Sequence, residues 1–400
     1  DGPRLIYADW LAEHGEPDRA EFVRLQCALD RLPDDDPRRP DLRERERLLV
    51  EANEARWTAD LAPIVSAWAF RRGVIDAVSV DAAQFLSGGE AIFELAPVRR
   101  VRFLNVGDRL ARLVQSPFME LVRELDLSGN TLGDAGPAVL ARSGHLARLE
   151  ALDLGFTELG DKGLQRLAGS PVFGGLRSLR INGNEDERLG VPGMQALAES
   201  AFLTELTHLD LSGNELSAAA VRPLLEGPLA SRLSHLVLHG NRLGDAGTAS
   251  LASSFVFAKM AEREGTIDLR RVKMGPVGAR ALAESPALAA VETLDLETND
   301  IGDAGLAALA GSPYSTRLRV LSVRENRISD DGVRALLRSP VLATLRVIDL
   351  NGNIVTQDIL DDLHAASVKY DWQGLDIRAD SPLRRPPGTL LGQYVLRPLP

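Results

Sequence analysis

The sequence predicts an α/β solenoid, a curved stack of short parallel strands with helices on the outside, preceded by a small α-helical domain. Three observations predict it. A Leu-x-x-Leu-x-Leu-x-x-Asn pattern returns many times along the chain, a Gly-Asp segment follows most copies, and the copies recur at nearly constant spacing. Repeat chains grow by stacking units that contact only their neighbours, so 400 residues do not require several ordinary domains.

The pattern reads Val122, Leu125, Leu127, Asn130; then Leu176, Leu179, Ile181, Asn184; Leu206, Leu209, Leu211, Asn214; and Leu233, Leu236, Leu238, Asn241. It continues as Val291, Leu294, Leu296, Asn299; Leu318, Leu321, Val323, Asn326; and Leu345, Ile348, Leu350, Asn353. Two copies keep the strand and lose the Asn, one ending at Thr157 and one at Val272, and a degenerate first copy runs through Val98, Val101, Phe103 and Val106. The anchors 130, 157, 184, 214, 241, 272, 299, 326 and 353 lie 27 residues apart, except for intervals of 30 before 214 and 31 before 272.

Alternation at period two, as in Leu125-Asp126-Leu127, sends the leucines into the core and the residue between them to the open face. The Asn then turns the chain, and its amide has the donors and acceptor to satisfy loop backbone. Leu159-Gly160-Asp161-Lys162-Gly163 and its equivalents place a capping residue and an acid at a helix start. The helix buries residues such as Leu164 and Leu167, and Ser-Pro at 170–171, 285–286, 312–313 and 339–340 closes several helices.

On these residues the repeats resemble ribonuclease-inhibitor-like leucine-rich repeats from about 98 to 353. The resemblance implies a horseshoe with an inner parallel sheet, a fold that serves inhibitors, GTPase activators and sensors alike. Upstream, helices are expected over Pro3–Glu13, Asp18–Leu32 and Asp41–Phe70, with a linker at 33–37. Pro3-Arg4-Leu5-Ile6-Tyr7-Ala8-Asp9-Trp10-Leu11 through Gln26 resembles the repeat-companion domain found with bacterial repeat proteins, without its usual opening helix. The expected division is 1–72 helical domain, 73–353 solenoid including a cap strand from Gly73 to Val80, and 354–400 C-terminal cap and tail. There Ile359, Leu360 and Leu363 suggest a last helix, and Trp372, Leu375 and Ile377 an edge cover.

With 44% hydrophobic and 26% charged residues the chain can bury a core. A net charge of −11 argues against a nucleic-acid partner, and Cys27 alone makes no intrachain disulfide. No long apolar run predicts a membrane span, and the chain starts at Asp1 without Met, which leaves room for a segment upstream. Only Lys162, Lys259, Lys273 and Lys369 are lysines, a bias that fits a bacterial origin; a cytoplasmic monomer is expected.

No nucleophile elbow, phosphate loop or paired metal-ligand motif occurs, so no enzyme activity and no cofactor are expected. The expected function is recognition of a protein partner, a basic one given the acids, on the concave face: Asp126, Asp153, Arg180, Asp210, Asp268, Asp295, Asp349, with His208, His235, His239 and Arg324. Asp126 beside Asp153, about 4.8 Å apart, would repel by roughly 1 kcal/mol even in water-like surroundings, which a basic partner would relieve. The alternative is an enzyme regulator of the GTPase-activator or inhibitor type. A metal site at His208 and His235 ranks lower, because His239 would lie about 13 Å from His235. The Asn series 130, 184, 214, 241, 299, 326 and 353 is read as structural. Two longer intervals, at Glu185-Asp186-Glu187 and Ser253–Glu264, are candidates for the binding side.

Overall fold

The computed structural model describes residues 2–33, 36–184, 189–369 and 376–378. Packing divides the chain into two units, residues 1–263 and 264–400.

The first unit opens with three helices, α1 (Gly2–Glu13), α2 (Pro17–Arg31) and α3 (Arg39–Trp57). Helices α1 and α2 close on Ala8, Leu11, Ala20, Val23 and Cys27, all nearly solvent-free. Phe22, Trp57 and Phe70 then pack ring against ring, with the Arg19 guanidinium 4.6 Å from the Trp57 centroid and 4.9 Å from that of Phe70. The third helix ends at Trp57 rather than near Phe70, because 67–71 forms strand β1 (Ala67–Arg71), antiparallel to β2 (Val74–Asp81). Arg72 and Gly73 both have positive φ, the two-residue hairpin turn whose twist suits antiparallel strands. Apolar residues at 57, 61, 64, 65 and 68 imitate helical spacing across this junction, which hid the strand.

From β2 onward every pairing in this unit is parallel: β3 (Arg100–Leu104), β4 (Glu124–Asp126), β5 (Ala151–Asp153), β6 (Ser178–Arg180), β7 (His208–Asp210) and β8 (His235–Val237) follow in chain order. In the second unit β9 (Thr266–Asp268), β10 (Thr293–Asp295), β11 (Val320–Ser322), β12 (Val347–Asp349) and β13 (Asp376–Arg378) form a five-stranded parallel sheet. The ladders are therefore two, where the repeat pattern alone suggested one. The long interval between β8 and β9 holds an extra helix, Phe255–Glu264. Residues 185–188, Trp372 and Leu375 lie outside the described residues; Ile377 pairs with Ile348 through the backbone of β13.

The recurring leucines of the repeats, such as Leu209 and Leu211 or Leu294 and Leu296, are fully buried. Each helix presents a narrow apolar stripe; Asp161–Ala168 buries Gly163, Leu164, Leu167 and Ala168. Single-residue burial of this kind contributes about 1.5–3 kcal/mol per large side chain.

Three sets of side chains join neighbouring repeats within the units. The Asn214 Nδ2 donates to the carbonyls of Ile181 and Leu211 at 2.8 Å, and its Oδ1 accepts the Asn184 N–H at 2.8 Å. Asn241 repeats the arrangement on Leu211, Leu238 and the N–H groups of Asn214 and Leu216, and Asn353 does so on Val323, Leu350, Asn326 and Ile328. Asn130, Asn184, Asn299 and Asn326 bond in the same manner, while Thr157, lacking an amide, reaches only the Leu154 carbonyl in its own turn and the Asn184 amide oxygen.

The second set is the aspartate of the Gly-Asp segment, which sequence reading assigned to its own helix. Instead it caps the next one: Asp134 Oδ1 accepts from Gly160 and Gly163, Asp161 Oδ1 from Gly190 and Gly193, and Asp303 from the Ser329 N–H and hydroxyl. This crossing explains the glycines at 163, 193 and 332, each of which lies against the carboxylate that arrives from the preceding repeat. A Cβ on Gly193 would sit 2.4 Å from Asp161 Oδ1, and one on Gly332 2.6 Å from Asp303 Oδ1. The third set is serine: Ser200 and Ser312 donate to the carbonyls of Ala168 and Ala283 at 2.6 and 2.5 Å, as Ser143 and Ser339 do to Val114 and Ala310.

Replacing Asn214 by Ala strands the buried Asn184 N–H and takes one of two amide donors from each of the Ile181 and Leu211 carbonyls, at a site with no solvent access. The substitution is expected to destabilise the chain by about 2–4 kcal/mol and lower the melting temperature by several degrees. An unchanged thermal melt would contradict the bonding role.

Candidate functional site

The central residue of each three-residue strand from β4 to β12 is a buried leucine or isoleucine, the residue that ends the strand turns to the open face, and the ladders place these end residues side by side. Arg102, Asp126, Asp153, Arg180, Asp210 and Val237 are successive register partners in the first unit; Asp268, Asp295, Ser322 and Asp349 are so in the second. Within each unit the alternation expected from the sequence is the arrangement found.

Their environment differs from an open acidic face. Every one of the six aspartates accepts the N–H two residues ahead: Ser128, Gly155, Ser212, Arg270, Glu297 and Asn351, at 2.8–3.1 Å. The carboxylate thereby caps the turn that ends its strand, the Asx-type bond that aspartate makes readily. Asp126, Asp153 and Asp349 are less than a tenth exposed. Arginines fill the gaps between them. Arg102 lies 3.5 Å from Asp126 and Arg180 3.7 Å from Asp153; Arg270 grips Asp268 at 2.6 Å and reaches Asp295 at 3.3 Å. The repulsion that seemed to call for an outside cation is thus met largely within the chain. Arg270 was missed in the sequence, although its place two residues after Asp268 was a usable signal. Arg324 stands one column on, 3.3 Å from Glu325 and 3.9 Å from Glu297.

Burial dominates the carboxyls that remain. It pushes Asp295 up to about 6 despite the nearby Arg270, and pushes Asp153 up to about 6 with Asp126 adding to the effect. The Glu124 carboxyl is raised by burial too. His208 and His235 are register partners whose rings lie 5.6 Å apart at a 33° tilt, and the His208 Nδ1 sits 2.8 Å from the Thr207 hydroxyl. Among the described residues, no group of three His, Cys, Asp or Glu side chains is placed to hold a metal ion. The asparagines belong to the turns behind the face, buried apart from the half-buried Asn353. Nor, among the described residues, is any helix long and apolar enough to cross a membrane.

A carboxyl raised from near 4 in the unfolded chain to about 6 in the fold stabilises the fold below about pH 4 and loses that contribution as pH rises through 6. Asp295 faces Asp268, Arg270 and Glu297, so Asp295→Asn removes a buried charge while its amide oxygen can still cap the Glu297 N–H. Relative to the parent, this variant is expected to gain stability between pH 4 and pH 7, by ~2 kcal/mol at the upper end. Urea titrations at the two pH values measure it, and a difference independent of pH would contradict the buried-carboxyl account.

A leucine-rich repeat family profile matches residues 120–141, 145–168, 203–225, 291–310 and 314–337. Comparison with curated proteins finds no match. Among solved structures, the chain is similar to an internalin from Listeria monocytogenes at 16% identity and TM-score 0.37, covering 74% of this chain and 70% of that one. It is similar to a chain of the Rad7 and Elc1 complex in yeast at 17% identity and TM-score 0.38, covering 88% of this chain and 92% of that one. The matched segments are leucine-rich repeats, and the strand, turn and helix that recur in register give the chain the α/β leucine-rich-repeat solenoid fold.

Proposed function

We propose that the chain is a protein-interaction module, without catalysis of its own, that binds a protein partner on the strand face of its repeats. Leucine-rich-repeat proteins generally act as interaction scaffolds, which supports the reading. The observation that carries it is the column Arg102, Asp126, Asp153, Arg180 and Asp210. Five charged side chains stand on adjacent strands, spanning about 20 Å at the usual strand spacing. The acids among them are oriented in advance by turn N–H bonds, and the arginines by the acids. Polar groups fixed before binding lose little entropy on contact and select partners by charge complementarity.

The exposed charges along this column are mixed. A partner with anions opposite Arg102 and Arg180 and cations opposite Asp210 suits it better than a uniformly basic one. In the second unit Asp268 and Asp295 share Arg270, again leaving alternating rather than uniform charge. His208, His235 and His239 extend the first unit's face with polar, partly aromatic surface, and cytoplasmic action in a bacterium remains part of the proposal.

A photo-crosslinking amino acid placed at Val237, in the column, and separately at Arg222, an exposed helix position paired with Glu226, tests the face. Protein adducts are expected from 237 and not from 222, and they should diminish as salt is raised. Adducts from 222 alone would overturn the assignment.

A further inference from the structure

The helix Phe255–Glu264, which fills the longest interval between repeats, does more than bridge. In the first unit it borders an open surface depression of about 370 Å³ at the upstream ends of β7 and β8, lined by Thr207, Arg232, Ser234, Lys259, Glu262 and Arg263. Three cations and one acid give these walls a net charge of +2, in a chain whose overall charge is −11. Among the described residues, none of Arg232, Lys259 and Arg263 has a carboxylate within ion-pair distance.

The cations are held in place by backbone rather than by acids. The Lys259 ammonium donates to the carbonyls of Ser231 at 2.7 Å and Leu233 at 3.4 Å, which leaves one of its three N–H groups. Arg232 spends one N–H on the Leu203 carbonyl at 3.3 Å and keeps the rest of its fork. Arg263 is exposed at the rim. One turn before Lys259, the Phe255 ring is 59% exposed, with the ammonium 5.1 Å from its centroid. An apolar surface therefore adjoins the Lys259 end of the site, outside the residues that line it.

We propose that this depression is a binding site for a phosphomonoester, with the phosphoryl group among Arg232, Lys259 and Arg263 and the attached organic group on Phe255. A phosphomonoester carries a charge of about −1.5 to −2 near neutral pH and three terminal oxygens, enough to meet three separate cations and balance the walls. A carboxylate, with one charge and two oxygens, leaves one cation unmet. Arginine takes phosphate oxygens in pairs through its planar fork, while lysine supplies a point charge. The volume of the depression is in the range of small-ligand sites. This site is separate from the strand face, so it stands or falls independently of the partner proposed there.

The test is calorimetric titration of the full chain with inorganic phosphate, phenyl phosphate and a phosphotyrosine peptide. One-to-one binding that weakens with salt is expected, with phenyl phosphate tighter than inorganic phosphate. Arg263→Gln should weaken phenyl phosphate about tenfold, since this side chain makes no bond that the fold needs. Phe255→Ala should weaken phenyl phosphate while leaving inorganic phosphate unchanged. Tighter binding of the peptide than of phenyl phosphate would point to a phosphorylated protein as source, and equal binding to a small metabolite; either supports the site. Absence of heat with all three probes at about 10 mM, or an Arg232→Gln/Arg263→Gln chain that folds normally and titrates like the parent, would overturn it.

Discussion

The structure depends on polar side chains of one repeat satisfying the backbone of the next. A unit of about 27 residues leaves loop N–H groups, strand-end carbonyls and helix termini that its own chain cannot pair. Water reaches few of them once the units stack. Asn214, Asn241 and their equivalents close the loops, Asp134, Asp161 and Asp303 close the helix starts, and Ser200 and Ser312 close the helix ends. Each bond spans one repeat length in sequence, so insertions are confined to places where these partners still meet. The two long intervals fall directly after Asn184 in the sequence and in the segment that forms the helix Phe255–Glu264. Both leave the Asn bonds of the flanking repeats intact within each unit.

The same arrangement prepares the strand face. Because the turn after each strand is fixed by the asparagine behind it and the aspartate in front, the aspartate has one orientation available. Arginines placed one strand or two residues away then settle between the carboxylates. The result is a surface of mixed charge whose acids are partly buried, with burial pushing Asp153 and Asp295 up to about 6 and Asp126 adding to the effect at Asp153. The face spreads ordered charge over several adjacent strands within each unit.

Much of this was legible in the sequence, because periodicity is a direct imprint of stacking. The strand positions, the inward leucines, the outward positions within each ladder and the Asn turns all follow from a period of two within a period of 27. What was not legible involves partners one repeat away. The Gly-Asp segment looked like a local cap, since nothing local distinguishes Asp161 capping its own helix from Asp161 capping the helix that begins after Gly190. The glycine at 193 held the clue, being the residue whose Cβ the incoming carboxylate would strike. Exposure of the aspartates was misjudged for a related reason: alternation gives direction but not depth, and Asx turns draw a carboxylate back onto its own strand end. Strand β1 escaped because its apolar residues continue the helical spacing of α3, and only Arg72-Gly73 marks the hairpin.

The central claim, that side-chain amides and carboxylates of neighbouring repeats hold the loops, is tested most directly by native-state hydrogen exchange at the N–H groups of Asn184, Leu216, Ile328 and Gly193. Their acceptors are Asn214, Asn241, Asn353 and Asp161. If the account is right, these loop and helix-start amides exchange as slowly as the strand amides of Leu209 and Leu321, since they open only when neighbouring repeats part. Exchange at the rate of solvent-exposed loop amides would contradict it.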